Sequence, residues 1–224
     1  MTNPFDTGPN EAGEYDAWYD SPSGGSVLRA EERCVRELLA GAPRPWLEGG
    51  AGSGRFGGDL GADAGLDPAL ELLRIAALRM PSVLLGVAEA LPFRDASVGA
   101  VLIVTVLEFL ADPRRAIHEV ARVLRPDGRL VAGFIPRGGT WGVAYAHQAR
   151  DPASVFRSAR FYSIEEVMSL VADAGLRHTG TRAALFDPPG EAQSSRVAEV
   201  ASPEAGFIAL AFAPQHGSGG DAND

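Results

Sequence analysis

The chain contains no lysine: all 20 of its basic residues are arginines, set against 29 aspartates and glutamates. Without a lysine amine the protein cannot form a Schiff base, and it has no P-loop lysine for phosphoryl transfer. The net charge of −9 disfavours a nucleic-acid partner, because binding a polyanion requires a cationic surface. These absences exclude several large classes of function.

Cysteine and long apolar runs are also scarce. The single Cys34 cannot form an internal disulfide, which is typical of a protein from a reducing compartment. The longest apolar run, residues 98–107, has about half the length of a membrane-spanning helix. The polar, acidic N-terminus does not have the pattern of a signal peptide. We therefore predict a cytoplasmic protein with no membrane partner and, since no metal-ligand spacing is present, no metal site.

What is present is a regular alternation of strand and helix patterns. Continuous apolar runs at 82–87 and 98–106 have the character of strands that are buried on both faces. The pairs Asp67-Pro68 and Asp112-Pro113 are each predicted to open a helix, and Ser163 with Glu166 forms a capping box. We predict an α/β fold with a Rossmann-like, doubly wound sheet, which is mostly parallel with an antiparallel C-terminal strand and has helices on both faces.

The predicted organisation is a single domain over residues 1–215, followed by a disordered tail at 216–224. Residues 1–43 form an N-terminal cap, and residues 136–162, which show no clean helical period, form a lid over an acceptor. The lid aromatics are predicted to wall the pocket: Trp141, Tyr145, Phe156, Phe161 and Tyr162.

A second aromatic cluster lies in the cap and comprises Tyr15, Trp18 and Tyr19. One interpretation is that these rings only anchor the N-terminal segment on the sheet. The other is that they close over a cationic ligand, to which aromatic faces are well suited.

A glycine-rich loop follows the first predicted strand, where residues 48–54 read EGGAGSG. Gly52, Gly54 and Gly57 match the pattern G-x-G-x-x-G, which is shared by proteins that bind NAD, FAD or S-adenosylmethionine (SAM). Asp67 follows near the spacing at which an acidic residue meets a ribose. A tight strand–helix connection with no ligand explains the same glycines.

The segments after the loop carry a more specific resemblance. EGGAGSGRF is followed in order by LDPALELLRIA, AEALPFRDASVGAV and HEVARVLRPDGRLV. This order resembles the class I SAM-dependent methyltransferases of the small, single-domain UbiE/menaquinone type. The resemblance covers residues 44–135 and continues more weakly through 163–175. AEALPF and EVARVLRPDG are more telling than the glycines, because nicotinamide dehydrogenases do not carry them in this order.

The resemblance implies transfer of a methyl group from SAM to a small-molecule acceptor, with release of S-adenosylhomocysteine (SAH). It implies that Glu48 reaches the methionine amino group and that Asp67 accepts both ribose hydroxyls. It also implies that Ala88 and Glu89 flank the adenine. The predicted cofactor contacts are, in full, Tyr15, Glu48, Gly50, Ala51, Gly52, Gly54, Asp67, Pro68, Ala88, Glu89, Ala90, Thr105, Val106 and Leu107.

The chain departs from the family pattern at two places. Val98-Gly99 stands where an aromatic–Asp pair is usual, and the second strand is so rich in Gly and Ala that Asp63 rivals Asp67 for the ribose. For an O- or N-acceptor, the candidate bases are His147, Tyr145 and Tyr19.

Two alternative functions remain open at this point. One is a NAD-linked oxidoreductase that uses the same loop. The other is a non-catalytic relative that keeps the fold for protein–protein contact, which the Gly99 departure and the weak second strand favour. The acceptor, the methylated element and the oligomeric state are not predicted.

Overall fold

The computed structural model describes residues 4–215, within which seven strands form one sheet. The strands are β1 Trp46–Gly49, β2 Ala64–Asp67, β3 Val83–Leu85, β4 Val98–Val104, β5 Leu124–Phe134, β6 Leu176–Ala184 and β7 Phe207–Pro214. Their order across the sheet is β3-β2-β1-β4-β5-β7-β6. Strand β7 alone runs opposite to the other six strands, which confirms the predicted Rossmann-like sheet. The predicted disorder of 216–224 falls outside the described residues.

The same residues form seven α-helices. They are α1 Pro9–Trp18, α2 Pro22–Leu39, α3 Arg55–Leu60, α4 Leu70–Ala76, α5 Pro113–Val123, α6 Thr140–Gln148 and α7 Ile164–Ala172. Helix α2 packs on one face of the sheet across β5, β6 and β7, whereas α5 and α7 cover the other face.

The central strand β4 shows why its sequence is uniformly apolar. Every residue in it is buried, because the sheet is covered on both sides. Ala100, Leu102 and Val104 point into the core beneath α2, while Val101 and Ile103 point into the core beneath α5 and α7. A strand buried on both faces cannot show the polar–apolar alternation of a half-exposed one.

Local capping signals were mostly reliable guides to the helices. Asp112 accepts a hydrogen bond from Arg115 N at 3.0 Å, and Ser163 with Glu166 forms the predicted capping box of α7. The prediction that Asp67 caps the next helix was wrong, since α4 begins at Leu70. The Asp67 carboxylate instead accepts a hydrogen bond from Ala69 N at 2.7 Å, which holds residues 67–69 in a non-helical turn.

Two segments that lack a sequence period contain helices. Helix α1 lies within the predicted cap, and α6 lies within the lid, where no helix was expected. Trp141 of α6 is buried, yet Val143 on the same short helix is exposed, so the helix carries no apolar stripe that a sequence pattern could reveal.

The Gly99 departure has a packing explanation. A Cβ at Gly99 would lie 2.0 Å from Pro43 O, because the chain entering β1 crosses the start of β4. Gly99 N and Ala100 N both donate to Pro45 O, at 2.8 and 3.1 Å. A larger side chain at residue 99 would therefore push this crossing apart.

Candidate active site

A cavity of about 380 Å³ lies at the carboxyl ends of β1, β2 and β4. Strands β2 and β4 lie on opposite sides of β1, so the cavity occupies the topological switch point, where ligands of doubly wound sheets bind. Its wall combines the glycine loop, the end of β2, the turn after β4, the N-terminal segment and residues 158–162.

The glycine loop owes its shape to backbone that only glycine adopts without strain. Gly50 has φ +77°, and a Cβ there would lie 2.3 Å from the Val106 side chain. At Gly57 a Cβ would lie 2.4 Å from Glu48 Oε2, the oxygen that accepts a hydrogen bond from Gly57 N at 2.9 Å. Each glycine thus admits either a turn or a close approach that a larger residue would prevent.

Asp67 lies at the carboxyl end of β2 and faces this loop. Its two carboxylate oxygens accept hydrogen bonds from Gly52 N at 2.8 Å and Ala69 N at 2.7 Å, and burial raises its pKa. Its rival Asp63 lies before β2, where it accepts from Trp46 N at 2.7 Å and pairs with Arg44 at 2.9 Å. Only Asp67 of the two therefore lines the cavity.

Glu48 is the second acidic group of the loop. Its side chain is 3% exposed, and one carboxylate oxygen is held by Gly57 N. Burial raises the pKa of Glu48 to about 8, although the hydrogen bond from Gly57 opposes the shift. A cationic group beside this carboxylate would restore its charge.

The turn after β4 forms the opposite wall. Thr105 adopts φ +52°, a conformation uncommon for a non-glycine residue and often found at functional sites. Glu89 closes the rim by accepting hydrogen bonds from Ala111 N at 3.1 Å and Asp112 N at 3.2 Å. All the predicted cofactor contacts line the cavity except Gly54, Ala90 and Leu107.

The three exceptions follow from local packing. Gly54, with φ +77°, is the N-cap residue of α3 and packs against Ala76, to which an added Cβ would lie 2.9 Å. Leu107 points into the core on the α5 and α7 side of the sheet. The Ala90 amide donates to Val87 O at 3.1 Å and so closes the turn that places Ala88 at the cavity.

The N-terminal segment covers the cavity from above the glycine loop. Tyr15 and Tyr19 both line it, and their hydroxyls lie 3.3 Å apart, whereas Trp18 is 43% exposed. The segment is held by Asp16, whose carboxylate pairs with Arg55 at 2.9 Å and Arg79 at 2.8 Å. These ion pairs lower the pKa of Asp16 well below its usual value.

The candidate bases do not all reach the cavity. Tyr19 lines it, but burial raises its pKa well above 10, so the phenol keeps its proton at neutral pH. Tyr145 and His147 are not among the residues that line the cavity: Tyr145 stacks on Phe156 at 4.0 Å and His147 is exposed.

Of the five lid aromatics that were predicted to wall the pocket, only Tyr162 lines the cavity. The other lid rings pack against one another, with centroid distances of 5.6 Å for Trp141–Tyr145 and 6.2 Å for Phe156–Phe161.

Several lining residues were not predicted from the sequence: Phe5, Glu108, Phe109, Ser158 and Arg160. Glu108 alone carried a usable signal, since it ends the longest apolar run of the chain at the carboxyl end of a buried strand. The others come from segments whose approach to the cavity depends on tertiary packing.

Two absences concern the part of the chain that the structure describes. No helix between residues 4 and 215 is long and apolar enough to cross a membrane. Over the same residues no group of three or more His, Cys, Asp or Glu side chains could hold a metal ion.

Comparison with known proteins agrees with this geometry. A family model described as a methyltransferase domain matches residues 47–132. An uncharacterised protein of Mycobacterium tuberculosis is 40% identical over 207 residues, which cover 92% of this chain and 73% of that protein.

The solved structures extend the likeness to the whole fold. A SAM-dependent methyltransferase of Thermotoga maritima, described as a possible histamine N-methyltransferase, has a TM-score of 0.83 and 29% identity, with 92% of this chain and 97% of that chain covered. The magnesium protoporphyrin IX methyltransferase of Synechocystis, solved with bound SAH, has a TM-score of 0.62 and 14% identity over 87% of this chain and 86% of its own.

The fold and the matched segments together define a methyltransferase of the Rossmann-like type. This chain belongs to the class I SAM-dependent methyltransferases, and its cofactor is S-adenosylmethionine. The resemblance predicted from the order of its sequence motifs is thereby confirmed.

Proposed function

We propose that the protein transfers the methyl group of SAM to a small-molecule acceptor inside the described cavity, and releases SAH. The observation that carries the proposal is the juxtaposition of Gly50, Gly52, Asp67 and Glu48 at one end of a single cavity. A cofactor with a ribose diol and a cationic amine needs a close backbone approach and two carboxylates, which this arrangement provides.

The residues present fit the cofactor. Asp67 would hold the ribose hydroxyls, Glu48 the methionine amine, and Ala88 with Glu89 the adenine. An added Cβ at Gly50 would fill part of this cradle, since it would strike Val106. When bound, SAM supplies an electrophilic methyl group on a sulfonium.

The chain itself contributes orientation and exclusion of water. Tyr15 and Tyr19 cover the cavity, and Asp16 ties them to the glycine loop through Arg55 and Arg79. Holding a nucleophile in line and dry accounts for much of the acceleration that such a transfer requires. Because the Tyr19 phenol stays protonated, we assign it a hydrogen-bonding role toward the acceptor instead of that of a base.

The proposal also includes the domain organisation of the chain and its location in the cell. Residues 1–43 would act as the cap of a single catalytic domain ending near residue 215, and the lid 136–162 would contribute through its end at Ser158, Arg160 and Tyr162. A cytoplasmic location fits the buried, unpaired Cys34, whose thiol has a pKa raised to about 12 by burial.

The first test is calorimetric titration of the protein with SAH, with NADH titrated in parallel. We expect SAH to bind in the micromolar range or tighter, which corresponds to about −8 kcal/mol, and NADH not to bind. Binding of NADH alone would overturn the proposal, and binding of neither would favour a non-catalytic relative.

A further inference from the structure

Glu108 is a buried carboxylate with a hydrogen-bond partner for only one of its two oxygens among the described residues. It lies in the 3₁₀ turn Leu107–Phe109 after β4 and is 2% exposed. Its Oε1 accepts a hydrogen bond from Ile135 N at 2.8 Å, but its Oε2, also buried, has no partner among residues 4–215. Buried polar atoms are nearly always paired, so an unpaired oxygen in a cavity wall points to a ligand group that completes it.

Glu108 lies two strands away, across the sheet, from the carboxylate of Asp67. Its neighbours in the cavity wall are Phe109, which follows it, and Arg160, whose backbone N donates to Glu108 O at 2.8 Å. The ribose carboxylate of Asp67 lies instead at the end of β2, beyond β1 in the sheet order. Glu108 therefore belongs to the side of the cavity that the acceptor would occupy.

No protein cation neutralises this carboxylate. Among the described residues, neither oxygen of Glu108 forms an ion pair. The Arg160 guanidinium lies over the Tyr162 ring at 4.8 Å and 4.0 Å from Glu166, and Arg55 is engaged by Asp16 and Asp20. The acceptor side therefore presents a buried carboxyl whose ionised form no protein cation balances.

A second buried acid interacts with Glu108, although it does not line the cavity. Glu31 of α2 is 4% exposed, makes no side-chain hydrogen bond to the described residues, and interacts electrostatically with Glu108, Tyr19 and Tyr145. Burial and the Glu108 charge raise the pKa of Glu31, and burial raises that of Glu108 to about 7. A cation bound beside Glu108 would stabilise the ionised form of its carboxyl.

Aromatic rings line the rest of this side. Phe109 meets Phe5 edge to face at 5.0 Å, and Phe5 meets Tyr15 at 5.7 Å. Tyr19 and Tyr162 complete the wall. Aromatic faces attract cations and resist anions, so the apolar and the charged parts of the wall favour the same chemistry.

We propose that the methyl acceptor carries a protonated amine and that Glu108 Oε2 binds this ammonium group as a recognition element. Since an ammonium nitrogen has no free electron pair, the methyl goes to another atom of the acceptor, or to this nitrogen once it has lost a proton. The proposal rests on the proposed methyl transfer and names the substrate class for the same cavity. Glu108 is then a specificity-determining residue, which selects cationic acceptors over neutral or anionic molecules of the same shape.

The test is calorimetry on the full chain saturated with SAH at pH 8. The probes are two sets of matched compounds: 2-phenylethylamine with 2-phenylethanol and 3-phenylpropanoate, and butylamine with butanol and butanoate. We expect at least one amine to bind about tenfold more tightly than its alcohol, and the carboxylates not to bind. If neither amine binds more tightly than its alcohol, the proposal is wrong.

The variant Glu108→Gln sharpens the test, because its amide oxygen still accepts from Ile135 N. It should bind the preferred amine no more tightly than the alcohol, while binding SAH as the wild type does. The exposed Glu199→Gln removes the same charge elsewhere and should keep the preference. If Glu108→Gln keeps the preference for the amine too, the carboxylate does not bind the acceptor. The same conclusion follows if Glu108→Gln binds SAM more weakly relative to SAH than the wild type does, because the carboxylate would then interact with the sulfonium of the cofactor.

These outcomes separate the two proposals. Absence of SAH binding in the wild type would contradict the proposed methyl transfer itself. Normal SAH binding without a preference for amines would contradict only the assignment of the acceptor.

Discussion

The two sides of the cavity are built in different ways. The cofactor side is mainly backbone: Gly50 and Gly52 at positive φ, strand ends, and carboxylates held by main-chain amides. The proposed acceptor side is mainly side chains, brought from the N-terminal segment, the 3₁₀ turn Leu107–Phe109 and residues 158–162.

Part of the acceptor side also lies outside the stretch that the family model matches. The proposed cofactor residues from Glu48 to Val106 lie within the matched stretch 47–132, as do Glu108 and Phe109 of the acceptor side, whereas Phe5, Tyr19, Arg160 and Tyr162 lie outside it. A backbone cradle tolerates few changes, while a wall of side chains can change its chemistry by single substitutions. We expect cofactor binding to depend on the first side and acceptor choice on the second.

The largest effect should come from removing the ribose carboxylate. Asp67→Ala deletes the acceptor for Gly52 N and the two hydrogen bonds that we propose it makes to the ribose, so we expect a loss of about 3 kcal/mol, on the order of 100-fold in the Kd of SAH. Calorimetry measures it. Asp63→Ala removes an acid from the other end of β2 and should change the Kd by less than about threefold. Equal losses in both variants would contradict the ribose assignment.

A smaller effect should appear as a pH dependence on the cofactor side. Burial raises the pKa of Glu48 to about 8, and only the ionised form attracts the amine of SAH. The affinity for SAH should therefore rise as the pH increases from 6 to 8, by up to about fiftyfold. Glu48→Gln should abolish this rise, and Glu108→Gln should preserve it. A wild-type affinity that is flat over this range would show that Glu48 does not hold the amine.

The raised pKa of Glu48 also predicts how the stability of the fold depends on pH. A carboxyl whose folded pKa is raised stabilises the fold below its unfolded pKa, and this contribution is lost as the pH rises through the folded value. The Tm of the ligand-free protein should therefore fall between pH 5 and 8, and less so in Glu48→Gln. Thermal scans across that window check the trend.

The smallest effect should come from weakening the ion pairs of Asp16 with Arg55 and Arg79, which tie the N-terminal segment to the glycine loop. Asp16→Asn weakens the contacts to Arg55 and Arg79, so Tyr15 and Tyr19 should cover bound SAH less firmly. We expect dissociation of SAH to quicken about threefold, a change of under 1 kcal/mol. Stopped-flow displacement measures the rate. Asp20→Asn, at a side chain 68% exposed that pairs with Arg55 alone, is the matched control and should leave the rate unchanged.

The sequence was a good guide to the parallel sheet and a poor guide to the acceptor side. Runs such as 98–106 must be buried on both faces, and the glycine loop can only follow a strand, so the fold and the cavity residues Glu48, Gly50 and Asp67 were predictable. Helix α6 was not, because it has no apolar stripe, and His147 was proposed as a base although its side chain is exposed.

By itself the sequence determined the α/β fold, the family and the cofactor, because these depend on local backbone chemistry repeated in a fixed order. Only the tertiary structure chose Asp67 over Asp63, removed Tyr145 and His147 from the cavity wall, and placed Glu108 there with an unpaired oxygen. Those outcomes depend on which end of a strand faces the ligand and on contacts between distant segments. Neither quantity is encoded in the spacing of residues along the chain.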